Sequence, residues 1–103
     1  MAWVRAKKDD IEIFVRLYSS RNNVYKTTKY YIDGERVTFR KKEIREIFKD
    51  APEDVIKVLK ANTWFWEPFW GNSDQRERYA RKLLLPLANF LIEKGFEVET
   101  SWD

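Results

Sequence analysis

Cysteine and histidine are both absent from this chain of 103 residues. Without cysteine there is no disulfide framework and no thiolate to hold zinc. Without histidine the commonest general base and the commonest metal ligand are missing as well. The expectation is a protein with no structural metal and no cofactor, and not an enzyme. Ser19 and Ser20 have no imidazole to activate them, and no Walker loop, G-x-G-x-x-G or G-x-S-x-G motif occurs. Long apolar runs are missing too. The longest, LLLPLA at 83–88, falls well short of the roughly 18 residues that mark a spanning helix. The start, MAWVRAKKDD, has no apolar stretch behind its charges and does not read as a secretory signal. A cytoplasmic protein without membrane association is expected.

What is present is charge and aromatic surface. Lys, Arg, Asp and Glu make up 36 % of the chain, against about 25 % in an average domain. With one Gln and one Met, this composition resembles that of thermophilic proteins, in which ion-pair networks gain value with temperature. The charge is uneven. Residues 1–49 hold 13 basic and 7 acidic side chains, a net of +6, and residues 50–103 hold 7 and 10, a net of −3. Either the two halves complement each other inside one domain, or the basic half meets an anionic partner. The length fits a single domain, 1–103, large enough for its own core.

Periodicity predicts an α+β fold. Residues 11–18, IEIFVRLY, alternate Ile11, Ile13, Val15 and Leu17 against Glu12, Phe14, Arg16 and Tyr18, the signature of a half-buried strand. Residues 24–32 form a second strand, and Asp33-Gly34 is a two-residue hairpin turn into a third at 36–40. WVRA near the start is a further strand turning at KKDD. Across Asp33-Gly34, Ile32 should face Glu35, Tyr30 Val37, Tyr31 Arg36, Lys29 Thr38, Thr28 Phe39 and Thr27 Arg40. A four-residue loop before Val24 keeps the apolar sets together, with Leu17 facing Val24, Ile13 Thr28, Glu12 Lys29, Phe14 Thr27 and Arg16 Tyr25. This leaves Lys26 on the core side, where it should either sit at the margin or snorkel out.

The period then becomes helical. Helices are expected over 41–49, over about 52–61, and from the Asn72, Ser73 and Asp74 caps to Gly95. The last carries a stripe of Tyr79, Leu83, Leu87, Phe90 and Leu91, and Pro86 should kink or break it. Asp50, Glu53 and Asp54 read as the acidic start of the second helix. Those acids also argue against a helix-turn-helix over 41–61, because phosphates would repel them. Residues 96–102 alternate again and return as a last strand. The architecture is then a β-meander plus a C-terminal strand, with about three helices on one face.

Two surfaces are candidates for function. TWFWEPFWGN at 63–72 packs five aromatic rings into seven residues, Trp64 to Trp70. At roughly 150 to 250 Å² per ring, they exceed the largest apolar patch an ordinary monomer exposes, about 300 to 600 Å². Trp64 or Phe65 should plug the core. Glu67 and Pro68 suit no core, so Trp66, Phe69 and Trp70 are the expected protein interface. The second surface is the uncovered sheet face, where Phe14, Tyr18, Tyr25 and Tyr31 interleave with Arg16, Lys29, Arg36 and Arg40, with Glu12 as the only acid. The leading expectation is an interaction module that binds another protein or itself as a homo-oligomer, through the aromatic stretch and the sheet face. The alternative is single-stranded nucleic acid binding on that face, since rings stack bases and cations take phosphates.

Overall fold

The computed structural model describes the backbone of residues 2–20, 23–60, 63–65 and 73–102, and the side chains of 2–18, 25–60 and 77–102. Four strands follow in sequence: β1 (Trp3–Lys8), β2 (Ile11–Ser20), β3 (Asn23–Ile32) and β4 (Glu35–Val37). Two short helices come next, α1 (Lys42–Ile47) and α2 (Glu53–Lys60). A short strand β5 (Thr63–Phe65), a long helix α3 (Ser73–Glu93) and a final strand β6 (Glu97–Ser101) complete the described chain. The strands are ordered β4-β3-β2-β1-β6, all antiparallel, and β5 pairs with the end of β3 remote from β4. This is the expected α+β architecture, with one added strand.

The covered face of the sheet is built by alternation. Val4, Ala6, Ile13, Val15 and Leu17 are at most 1 % exposed, and they meet Ile44, Phe48, Val55, Val58, Leu84, Leu87 and Leu91 from the helices. A file of rings, Tyr30, Phe39, Phe48 and Phe90, runs through this layer with centroids 5.8 to 5.9 Å apart. Burial raises the Tyr30 hydroxyl above its ordinary pKa by desolvating the phenolate. The α3 stripe is turned by about one residue from the expected one. Leu87, Phe90 and Leu91 are buried as expected, but Ala80, Leu84 and Ala88 join them, while Tyr79 and Leu83 are only half-buried. Pro86 does not end α3, which runs through it to Glu93. Gly95 does end it. At φ +90° it donates its N–H to Ile92, and Phe96 donates to Leu91, the paired bonds of a Schellman motif.

The β2–β3 register corrects the expected loop. The ladder closes on Ser20↔Asn23, so two residues separate the strands rather than four. Leu17 faces Lys26 and Ile13 faces Tyr30, while Glu12, Phe14 and Arg16 face Tyr31, Lys29 and Thr27. A shift of two leaves every side chain on the same face, so the apolar pattern does not discriminate between the two loops. The shorter loop adds pairs at Ser19↔Val24 and Ser20↔Asn23.

The β4 strand is also shorter than expected. Tyr30↔Val37, Tyr31↔Arg36 and Ile32↔Glu35 form as anticipated, but the strand stops at Val37. Thr38 captures the chain there: its carbonyl accepts from Lys41 N–H, and its hydroxyl from Arg40 N–H at 3.3 Å. The pairs expected for Lys29, Thr28 and Thr27 with Thr38, Phe39 and Arg40 therefore do not form. Instead β5 takes the far end of that edge, through Asn23↔Phe65, Val24↔Trp64 and Tyr25↔Thr63.

Two lysines cap helices, Lys26 from the covered face and the exposed Lys8 from the end of β1. Lys26, 8 % exposed, donates to the carbonyls of Val58 (2.8 Å) and Leu59 at the end of α2. Lys8 donates to Lys94 O (2.7 Å) at the end of α3. Each satisfies carbonyls that a helix terminus leaves orphaned. Lys26 therefore does not snorkel out, and desolvation lowers its pKa from 10.5 to about 8.

Candidate functional site

Because the helices share one face of the sheet, no described element covers the other face. Its side chains come from β4, β3, β2, β1 and β6, and the register arranges them in rows. The first row holds Arg36, Tyr31, Glu12, Lys7 and Glu97, and the second holds Lys29, Phe14, Arg5 and Glu99. The third holds Thr27, Arg16, Trp3 and Ser101, and a fourth pairs Tyr25 with Tyr18.

Seven of the eight rings and cations anticipated on this face are brought together there: Phe14, Arg16, Tyr18, Tyr25, Lys29, Tyr31 and Arg36. Arg40 is not among them. It is exposed in the turn after β4, beyond the end of the sheet, because Thr38 bends the chain away. Tyr18 and Tyr25 stack with centroids 5.5 Å apart, and Tyr18 is 40 % exposed. Arg16 and Arg36 are exposed, and Lys29 is half-buried. Among the described residues none of these three cations has an ion pair.

Sequence reasoning missed the β1 and β6 contributions. Alternation over Trp3–Lys7 carried the signal, but β1 had no register until its pairing with β2 was known. Trp3 and Phe14 lie 6.0 Å apart, and the Arg5 guanidinium sits 5.5 Å from the Trp3 centroid and 5.2 Å from that of Phe14. The β6 strand adds Glu97 and Glu99, so Glu12 is not the only acid on the face. Those two carboxylates stand opposite Lys7 and Arg5 in the ladder. Lys7 also pairs with Glu12 at 3.3 Å. The β1–β6 half thus carries two cations and two acids, and the β2–β4 half carries Arg16, Lys29 and Arg36 with Glu12, so five cations face three acids and the net charge of these rows is +2.

Trp66, Phe69 and Trp70, the expected protein interface, lie outside the described residues. So do the side chains of Trp64 and Phe65; their backbone forms an edge strand on β3. Among the described residues no group of three or more acids is placed to hold a metal ion, and no helix is long and apolar enough to cross a membrane. A cleft of about 620 Å³ opens between α2 and α3, lined by Pro52, Asp54, Leu85, Pro86 and Phe90. The Asp50–Lys94 ion pair spans its rim at 2.6 Å and holds the Asp50 carboxyl below its ordinary pKa. Compared with known proteins, the chain matches no family model, no curated protein and no solved structure.

Proposed function

We propose that this chain is a non-enzymatic binding module and that its open sheet face engages single-stranded nucleic acid. One observation carries the reading: among the described residues, three cations without ion-pair partners lie co-facial with Phe14, Tyr18, Tyr25 and Tyr31 on a sheet face that bears no helix. Phe14, Arg16 and Tyr18 follow one another on β2 as ring, cation, ring, at a spacing of about 6.6 Å per step. Stacking planes alternating with phosphate-binding cations are what a single strand requires. The positive net charge, +3 with a sequence pI near 9.2, favours an anionic partner over a neutral one.

The test is fluorescence anisotropy with a labelled single-stranded oligonucleotide of about 12 nucleotides, within the range such sheets cover. At about 50 mM salt the wild-type protein binds, and the affinity falls with salt at a log–log slope of about −2, as three phosphate contacts require on a single strand. Arg16→Glu, Lys29→Glu and Arg36→Glu together abolish binding. Absence of salt-sensitive binding by the wild type would end this reading.

Self-association through Trp66, Phe69 and Trp70 is the second reading. Its support is β5, whose edge position on the sheet leads directly into those rings. Light scattering separates the two: a native mass of two or more chains that drops to one on Trp70→Ala, with no oligonucleotide bound, favours self-association.

A further inference from the structure

We infer that Trp3 and Arg5 of β1 belong to the binding surface, forming with Phe14 a second base-stacking shelf beside the Tyr18–Tyr25 pair. The inference rests on the nucleic acid reading above and assigns two residues to it. The register sets Arg5 opposite Phe14 and Trp3 opposite Arg16. The shelf is pre-assembled, since the exposed guanidinium of Arg5 lies within 5.5 Å of both ring centroids. A guanidinium over a ring restrains both partners by cation–π attraction, so little side-chain freedom remains to be lost when a base arrives. Arg16 lies between the two shelves: it is Trp3's cross-strand partner and is flanked on β2 by Phe14 and Tyr18. Two bases therefore stack on the two shelves, and Arg16 takes the phosphate between them. Arg5 retains N–H donors for a fourth phosphate, which steepens the expected wild-type salt slope from about −2 to about −2.8.

A purely structural cluster would hold β1 to β2 and do nothing more. The two roles separate with an abasic oligonucleotide, which keeps the phosphates and lacks the bases. Trp3→Ala is expected to weaken binding of the ordinary strand by about 5- to 150-fold, the range for one base–aromatic stack. Its binding of the abasic strand stays at the wild-type level, and Trp3→Phe recovers most of the loss. Arg5→Gln makes the salt slope shallower by about 0.7, one phosphate contact on a single strand. If Trp3→Ala binds the ordinary strand as the wild type does, or loses both strands equally, Trp3 is no stacking residue and the inference fails. An unchanged salt slope for Arg5→Gln removes Arg5 from the site. In each case the parent reading stands if the Arg16, Lys29 and Arg36 reversal still abolishes binding. If the wild type itself does not bind, the parent reading falls first.

Discussion

The two faces of this sheet are made by the same strands and differ in almost every respect. On β2, Leu17 is fully buried and its neighbour Arg16 is exposed. On the covered face, packing determines what a residue is worth, and a charge is tolerated only where a helix end receives it. On the open face the backbone ladder already holds the strands, and side chains are free to be selected for what they bind. Under the proposed function, stability and binding fall on opposite sides of one element, a separation that substitutions can probe.

The largest contrast is between neighbours. Leu17→Ala should cost about 2 to 5 kcal/mol, the range for a buried leucine. Arg16→Ala should stay within about 0.5 kcal/mol, as for an exposed site without special contacts. Urea unfolding of both variants measures the gap, and equal losses would mean that the faces are not divided as described.

Lys26 tests whether a charge on the covered face is held by its helix. Its pKa in the fold, about 8, lies below its ordinary 10.5. The unfolded chain therefore binds more protons in that interval, and this group's contribution to stability rises with pH across it. The neutral amine keeps two N–H donors, enough for the Val58 and Leu59 carbonyls. Lys26→Met should then cost on the order of 1 to 3 kcal/mol at about pH 9.5, by orphaning those carbonyls, and less at about pH 7. A difference between the two proteins that is flat with pH would show that the fold does not lower the pKa of the amine. Tyr30, whose pKa is raised, works in the opposite direction above about pH 10, so the comparison is made below it.

A smaller effect is expected at Thr28. Its hydroxyl is buried opposite Val15 and, among the described residues, has no hydrogen-bond partner. Thr28→Val keeps the shape and removes the orphan group, and should stabilise the protein by about 1 kcal/mol. A loss in thermal unfolding would reveal an unseen partner, such as an ordered water.

The residues themselves determined which side of the sheet each strand residue takes. Period-two alternation is a local property, and burial enforces it residue by residue. The same holds for the Asp33-Gly34 turn, whose residues have φ of 54° and 77°, and for the helix stop at Gly95. Each depends on a backbone conformation that those residues favour. The tertiary structure alone decided the β2–β3 register, because a slip of two preserves every face and only the completed ladder distinguishes the alternatives. It alone brought Thr63–Phe65 to the edge of β3, a pairing across some forty residues that no local pattern encodes. It turned Lys26 from an apparent misfit into a helix cap, because the end of α2 has no position until it packs. The Trp3–Arg5–Phe14 cluster and the acids Glu97 and Glu99 reached the open face in the same way: alternation had already divided their strands into two faces, but only pairing could say beside whom they would stand.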